Sequence, residues 1–406
     1  MSLLAGVRGL WRASTPEPVR RIAQPLLAPM LENHVRRRAR RPHGADGAAG
    51  GPIRIVGYFS GGHGIAASAR LAARAFEALG APVECVDAAG AALTWAPAGP
   101  APSPASAWIF HLNPPELLAT LGQMGPDRLV GPRYGYWAWE LPRAPALWLK
   151  DAALVDEVWT PSRYVADALA GARAPVRVVP HPLFLEDYRD IAPLPRTSAF
   201  RAVSLFDFNS SAARKNPQGA IAAFVAAFGD DPDARLLLKT QNGAAHPEAL
   251  AALQAGAPAN VEVIDAVWPY AEVKRLIASA DALISLHRAE GFGLVLAEAL
   301  ALGVPLVCTE GTGASDFLDA EVALLVPARP TAVADPQGIY SGQTWGEPDI
   351  GAAAQALRRL RGEPKLRAQL AAGGRHRVAE RLSPQAWFTT LPDQVKHAAM
   401  TAARSA

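Results

Sequence analysis

Residues 285–316 read SLHRAEGFGLVLAEALALGVPLVCTEGTGASD, which predicts a strand end, a glycine-bearing turn, a buried helix, a second strand and a second glycine loop. The predicted helix over residues 292–302 is apolar on nearly all sides, which is typical of a helix inside a core. Glu298 is its single charge, and Glu290 stands eight positions earlier, just before the helix. An ionised carboxylate in such a helix is costly unless it is paired or hydrogen-bonded, so Glu298 needs a partner.

The turn before this helix has the composition of an anion-binding site. Gly291 and Gly293 allow the backbone to come close to a ligand. A helix N-terminus offers free N–H groups and a positive dipole to a negative group. The pattern therefore predicts a diphosphate at the helix start, with carboxylates holding hydroxyls on either side. The alternative is an ordinary strand-turn-helix unit with two incidental glutamates.

These residues also resemble a known family. The string HRAEGFGLVLAEALALGVPLV, with its Glu-x7-Glu spacing, resembles the retaining, nucleotide-sugar-dependent glycosyltransferases of group 1, which are family 4-like and have the GT-B fold. The resemblance covers about residues 53–400 and implies an α/β protein in which two Rossmann-like domains face a cleft. The string WAWELPR at 137–143 resembles the branch that builds mannose-containing bacterial surface polysaccharides.

Composition restricts the partners. The net charge is +3, yet residues 1–50 hold nine arginines against three acids, so this arm carries +6 and the rest of the chain −3. A body without a general basic surface argues against nucleic acid as the main partner. The arm is expected either to contact an anionic membrane face or to form a solvated tail or a helix packed on the body.

The location follows from cysteine usage and hydropathy. Cys85 and Cys308 both lie in apolar, strand-like runs, and buried free thiols indicate a reducing compartment. No apolar run is long enough to cross a bilayer. We expect a cytoplasmic protein with peripheral contact at the inner membrane.

The alternation of strand and helix signals predicts the domain boundaries. Residues 1–50 form the basic arm and linker, and residues 51–190 the first, acceptor domain. Residues 191–382 form the second, nucleotide-sugar domain, in which the Pro/Gly-rich segment 328–348 is read as an irregular insertion. Residues 383–406 form one final helix that returns to the first domain.

Candidate residues of the first domain lie at predicted strand ends. The loop SGGHG at 60–64 follows the first strand, and the resemblance implies that Gly61 and Gly62 approach the donor phosphates. His63 is either a cleft residue or a solvated one. His111 ends the strand AWIFH, on the side where parallel sheets bind ligands, and either donates to a sugar hydroxyl or caps its strand.

The segment 134–145, YGYWAWELPRAP, is the most aromatic of the chain. Aromatic rings with one carboxylate suit a sugar acceptor, because the rings cover apolar sugar faces and the carboxylate accepts hydrogen bonds from sugar hydroxyls. This assigns Tyr136, Trp137, Trp139 and Glu140 to the acceptor. The alternative is an ordinary core strand with a surface glutamate.

The second domain carries two adjacent cations, Arg214 and Lys215, directly before a predicted helix start. Two cations beside a helix N-terminus make an anion site. The resemblance places an arginine and a lysine here on the donor diphosphate, although its usual earlier arginine is replaced by Asp207 and Asn209. Tyr270 is predicted either to stack on the nucleotide base or to belong to the core.

By resemblance, Glu290 contacts the transferred sugar and Glu298 the donor ribose. Lys215, with Arg214, neutralises the diphosphate, assisted by the amides of the turn and helix start. These are the amides of Gly291, Phe292, Gly293 and Leu294. Glu290, His111 and Lys215 are the predicted catalytic residues.

The resemblance further implies a glycan or lipid-linked acceptor, with GDP-mannose as the favoured donor and no cofactor. No metal is expected, and the sequence has no Cys/His ligand cluster. The alternatives are a catalytically silent scaffold or binding subunit of the same fold, a sugar-nucleotide epimerase, or a phosphorylase. The two glutamates are not read as the acid and nucleophile of a hydrolase.

Overall fold

The computed structural model describes residues 17–40, 51–62, 64–95, 97–336, 338 and 340–403. Within them, two six-stranded parallel sheets are flanked by helices, and a two-stranded hairpin forms a third, separate sheet. The predicted α/β fold of two Rossmann-like domains is thus confirmed. Residues 1–16 and 41–50 of the basic arm, and the predicted cleft residue His63, lie outside the described residues.

The first sheet has the order β2-β1-β3-β4-β5-β6, and all its neighbouring strands are parallel. β1, β3 and β4 are buried along their whole length, because helices cover both faces of such a sheet. The elements are α1 Glu17–Ala39, β1 Ile53–Gly57, α2 Gly64–Ala78, β2 Val83–Asp87, β3 Ala107–Phe110, α3 Pro114–Met124, β4 Arg133–Tyr136, α4 Ala146–Asp151, β5 Glu157–Thr160, α5 Arg163–Ala168 and β6 Val176–Val178.

The helix α1 of the basic arm packs on the first domain. Val35 and Ala39 are buried in its core, next to side chains of α3. Arg36 lies 2.7 Å from Asp151, and Arg38 forms an ion pair with Asp127 at 2.5 Å. The described part of the arm is therefore a helix docked on the body. No helix in the described ranges combines the length and the apolarity needed to cross a membrane.

The second sheet has the order β12-β11-β10-β7-β8-β9 and is also parallel. Its central strands begin or end at the loops that carry most candidate residues. The elements are β7 Phe200–Leu205, α6 Ala212–Lys215, α7 Pro217–Phe228, β8 Ala234–Thr240, α8 Pro247–Ala255, β9 Val261–Asp265, α9 Tyr270–Ala278, β10 Ala282–Ser285, α10 Leu294–Leu302, β11 Leu306–Thr309, β12 Ala323–Val326, β13 Ala328–Ala332, β14 Thr344–Pro348, α11 Ile350–Gly362, α12 Pro364–Arg381, α13 Pro384–Thr390 and α14 Asp393–Ala403.

Three predicted elements differ from the structure. The buried helix begins at Leu294 rather than at residue 292, because Gly293 adopts a left-handed φ of 89°. The segment 328–348 is regular at its two ends, where β13 and β14 pair antiparallel over five residues each. The final helix is broken between α13 and α14, since Pro392 has no N–H and holds the preceding Leu391 extended.

The C-terminal helices α13 and α14 pack on the first domain. Trp387 is buried and meets Phe76 of α2 edge to face, with ring centroids 5.0 Å apart. Val395 and Ala399 of α14 join the same cluster. After the second domain, the chain thus returns to the first through α13 and α14.

Loops at the strand ends of both domains contact each other. Ser162, which follows β5, donates from Oγ to the Gly291 carbonyl at 2.6 Å. The Arg163 amide donates to Asp316 at 2.7 Å. A Cβ on Gly313 would lie 2.0 Å from the Gly291 carbonyl oxygen, so the close approach of these loops requires glycine. Glu290, whose carbonyl accepts from the Gly313 amide, and Gly291 therefore lie at this contact between the domains.

Candidate active site

Glu290 and Lys215 meet between β10 and α10. Glu290 lies in the turn after β10, and Lys215 is the last residue of the short helix α6. The Lys215 Nζ lies 2.5 Å from Glu290 Oε2. Burial raises the pKa of the Glu290 carboxyl, but the positive charges of Lys215 and Arg214 lower it by more than burial raises it. The net pKa is therefore well below its usual range. Glu290 is ionised at neutral pH.

Arg214 lies buried between carboxylates from both domains. Its guanidinium is 3.6 Å from Glu140 and 3.7 Å from Glu290. Its Nη1 also donates to the Ala289 carbonyl at 2.9 Å. Burial lowers the pKa of Arg214, but the two carboxylates raise it more, so the net pKa is above its ordinary value. The side chain predicted to bind the diphosphate is thus engaged by Glu140 and Glu290, and its donor contact stays a prediction.

The loop that carries both cations is fixed by hydrogen bonds to its side chains. Ser211 Oγ accepts from the Arg214 amide at 3.3 Å. Asn216 adopts a left-handed φ of 52°, a conformation that asparagine tolerates better than most residues. Its side chain accepts from the Gly219 amide and donates to the Leu286 carbonyl, each at about 3 Å. Asn216 therefore anchors the cations against the end of β10, a role that its spacing alone did not reveal.

The turn from Gly291 to Leu294 places a helix N-terminus beside Glu290. Gly291 runs close under the Trp139 carbonyl, where a Cβ would lie 2.7 Å from that oxygen. Phe292 is buried and packs against the His181 ring, with centroids 4.6 Å apart. Its side chain belongs to the core, so only its backbone is available to a ligand.

Glu298 lies in the buried helix α10 with tyrosines as its partners. The Tyr270 hydroxyl donates to Glu298 Oε1, and Tyr188 donates to the same oxygen at 3.5 Å. Burial raises the pKa of the Glu298 carboxyl to about 7, against the lowering effect of these hydroxyls. Tyr270 keeps 51% of its surface exposed, so its ring remains accessible. Tyr188 belongs to the short 3-10 helix Leu185–Tyr188 and was not predicted.

His111 is enclosed in the first domain. Its Nδ1 lies 2.8 Å from Ser68 Oγ, and its ring stacks on Tyr136 with centroids 4.5 Å apart. Its buried Nε2 has no hydrogen-bond partner in the described part of the chain. Burial, with the nearby His181, lowers the pKa of His111 to about 3, so the ring is neutral at physiological pH. In this conformation it does not reach Glu290 through a described hydrogen bond, and its catalytic role stays a prediction.

The predicted acceptor aromatics are largely buried. Tyr136 donates from its hydroxyl to the Val179 carbonyl at 2.8 Å. Trp137 is fully buried, and Trp139 donates from its indole to the Arg143 carbonyl at 2.9 Å. Among the four predicted acceptor residues, Glu140 keeps the most exposed side chain, at 26%. Acceptor contact by the three rings stays a prediction.

The glycine loop after β1 has a defined anchor. Arg70 donates to the Gly61 carbonyl at 2.8 Å. Gly62 is exposed, and a Cβ there would meet nothing within 4 Å. The described part of this loop therefore leaves room near Gly62, but no described contact joins it to Lys215. Its approach to the donor phosphates stays a prediction.

Residues 209–336 match the family model of the glycosyl transferases group 1. The matched segment lies within the second domain. That segment contains Arg214, Lys215, Glu290 and Glu298, whereas Glu140 comes from the other domain. No curated protein matches the sequence.

Solved structures share the two-domain GT-B architecture. HepE of Anabaena, crystallised with UDP and glucose, has a TM-score of 0.60 at 14% identity, covering 83% of this chain and 97% of that one. Sucrose-phosphate synthase of Thermosynechococcus elongatus has a TM-score of 0.59 at 17% identity, covering 83% and 96%. TarM has a TM-score of 0.53 at 13% identity, covering 70% of this chain and 53% of TarM, and a mutant of S. aureus TarM is similar to the same degree. This chain therefore spans about half the length of TarM.

Within the described ranges, no group of three or more His, Cys, Asp or Glu side chains is placed to hold a metal ion. The sequence contains one Asp-x-Asp string, from Asp231 to Asp233. It lies in the turn before β8, at the opposite end of the sheet from Lys215 and Glu290, and Asp231 pairs with Arg361 at 2.5 Å.

Proposed function

We propose that the chain transfers a hexosyl group from a nucleotide sugar to a hydroxyl of a glycan. The observation that carries the proposal is the meeting of Lys215 and Glu290 at the start of α10, inside the group 1 segment. When a glycosidic bond to a diphosphate breaks, negative charge develops on the leaving group. A lysine and a helix N-terminus held in advance beside that group stabilise the charge without reorganisation.

The residues then take distinct roles. In the structure, the Lys215 ammonium pairs with the Glu290 carboxylate. When the donor binds, the same ammonium also contacts the diphosphate. Glu290, kept ionised by its cationic partners, accepts hydrogen bonds from hydroxyls of the transferred sugar. Glu298 accepts the ribose hydroxyls, and the exposed ring of Tyr270 meets the base.

The finer assignments belong to the same proposal. Retention of configuration, with the donor phosphate taking the acceptor proton, and GDP-mannose as the donor both rest on the sequence resemblance. So does the acceptor, a growing surface polysaccharide or a lipid-linked glycan. HepE and the pneumococcal transferase GtfA were crystallised with UDP, so the base is the first point to measure.

The proposed location is cytoplasmic, with the basic arm as the candidate membrane contact. Arg37 and Arg40 are the exposed arginines that would make this contact, since Arg36 and Arg38 pair with acids of the body. Replacing Arg37 and Arg40 by glutamine is expected to lower sedimentation with vesicles containing anionic lipid. Unchanged sedimentation would remove the membrane from the proposal.

The test is calorimetric titration of the chain with GDP, UDP, ADP and dTDP. We expect micromolar binding of one nucleotide, weakened at least tenfold in Lys215→Ala. Lys365→Ala, which removes an exposed lysine from α12, should bind like the wild type. Binding to none of the four nucleotides contradicts the proposal and favours a silent scaffold. Conversion of the donor sugar without any acceptor favours an epimerase.

A further inference from the structure

The insertion hairpin, defined here as residues 328–348, is fixed to the second domain at its base. Arg288 forms a bidentate ion pair with Glu347, at 2.6 and 3.0 Å. The Gly346 amide donates to the Arg288 carbonyl at 2.9 Å. Trp345 is buried, and the Arg288 guanidinium lies 5.5 Å from its ring centroid. Because Arg288 stands two residues before Glu290, the hairpin is anchored on the loop of the candidate site.

The far part of the hairpin contacts both domains. Ser211, in the loop of the two cations, donates to Asp335 at 3.3 Å. Tyr340 is buried, and its ring meets the edge of Trp139 with centroids 5.6 Å apart. The Tyr340 hydroxyl donates to Glu140 Oε2 at 3.2 Å, a contact across 200 positions of the sequence. The insertion hairpin therefore extends from the second domain to the first domain's Glu140.

Each oxygen of the Glu140 carboxylate has a different partner. Arg214 lies 3.6 Å from Oε1, and Tyr340 donates to Oε2. A carboxylate offers about four lone-pair positions, so these contacts leave acceptor capacity unused. The Glu140 side chain is 26% exposed, so its unused lone pairs are available to a ligand whose hydroxyls donate hydrogen bonds.

The charges around Glu140 restrict the class of that ligand. Arg214 and Lys215 are the cations of this cluster, and Glu140 and Glu290 are its carboxylates, so their formal charges balance. The proposed donor diphosphate adds negative charge beside Lys215. An acceptor that itself carries a phosphate or carboxylate would be repelled by the Glu140 carboxylate, and no unpaired cation of this cluster would offset that repulsion. The hydroxyl of an uncharged sugar meets no such repulsion and can donate a hydrogen bond to Glu140.

We propose that Glu140 binds a hydroxyl of an uncharged sugar acceptor, and that Tyr340 of the insertion hairpin is the positioning residue that holds Glu140 for it. This inference rests on the proposed transferase function and adds the class of acceptor and the part of the chain that selects it. Tyr340 acts through Glu140, and its hydroxyl also interacts with Arg214. Removing its hydroxyl should loosen acceptor binding while the donor site keeps its geometry.

The experiment uses the full chain and the nucleotide sugar whose base the nucleotide titration selects. The acceptor probes are octyl α-mannoside, octyl β-glucoside and mannose 6-phosphate. Wild type is compared with Tyr340→Phe and Glu140→Gln. Ser341→Ala is the matched control, because it removes a neighbouring hydroxyl whose described bond goes to Gly338 within the hairpin.

We expect Tyr340→Phe to raise the KM of an octyl glycoside about tenfold. Its kcat and its nucleotide Kd should stay within about twofold of wild type, as should every constant of Ser341→Ala. Glu140→Gln should raise the acceptor KM further, again without a comparable change in nucleotide affinity.

Four results would overturn the inference. In the first, Tyr340→Phe weakens nucleotide binding as much as acceptor binding. In the second, its thermal stability and kcat fall while the acceptor KM stays constant, as a structural role would predict. In the third, mannose 6-phosphate is preferred over both octyl glycosides. In the fourth, neither octyl glycoside is glycosylated by a chain that binds nucleotide. Failure of the wild type to bind any nucleotide overturns the proposed function itself, and the titration shows this before an acceptor is added.

Discussion

The buried carboxylate of Glu298 makes stability depend on pH in a way that one substitution removes. Its pKa is raised from 4.5 to about 7 in the folded protein, chiefly by burial. The folded state therefore holds a proton that the unfolded state releases, and stability falls as pH rises through this window. At about 1.4 kcal/mol per pH unit, the loss approaches about 3 kcal/mol by pH 8. Glu298→Gln keeps the size and an acceptor for Tyr270 but cannot ionise.

The assay is thermal unfolding of the wild type and Glu298→Gln at pH 5 and pH 8. We expect the wild-type Tm to fall, relative to the variant, by up to about 10 °C between these pH values. His111, His181 and His287 have lowered pKa values and titrate in the opposite direction, but they do so in both proteins, so only the difference between the curves reports Glu298. Glu310→Gln removes an exposed charge of the same domain as a control. Parallel Tm changes in wild type and Glu298→Gln would refute the reasoning.

Three further predictions test other parts of the molecule. Gly313→Ala should lower transfer at least tenfold and lower Tm by several degrees, because its Cβ would lie 2.0 Å from the Gly291 carbonyl oxygen. Gly362→Ala, where a Cβ meets nothing within 4 Å, is the control, and equal activity of both variants would contradict the tight contact between the domains. Trp387→Ala should cost about 3–5 kcal/mol of unfolding free energy by leaving a cavity against Phe76, measured by denaturant titration. A loss below about 1 kcal/mol would show that the C-terminal helices stabilise the first domain little. Glu290→Gln should abolish transfer with a near-normal circular dichroism spectrum, and more than a tenth of wild-type activity would count against its assigned role.

The local pattern was sufficient to predict the secondary structure of the central motif. The apolar run around Glu298 produced the buried helix α10, displaced only at its start by the left-handed Gly293. Residues 328–348 were misread because their Pro and Gly content is typical of loops. In the structure they pair as a hairpin whose Trp345 is buried beside Arg288, a contact that no local window contains.

The sequence by itself determined the two Rossmann-like domains and the turn at Gly291, because strand and helix periodicity and glycine turns are encoded within about ten neighbouring residues. The separate roles of Glu290 and Lys215 were expected from the family resemblance alone. Only the tertiary structure decided what these groups face. Lys215 meets Glu290 across 75 positions, and Tyr340 meets Glu140 across 200. Such contacts depend on how two sheets and an inserted hairpin pack, and packing is set by the whole core rather than by any short segment of the chain.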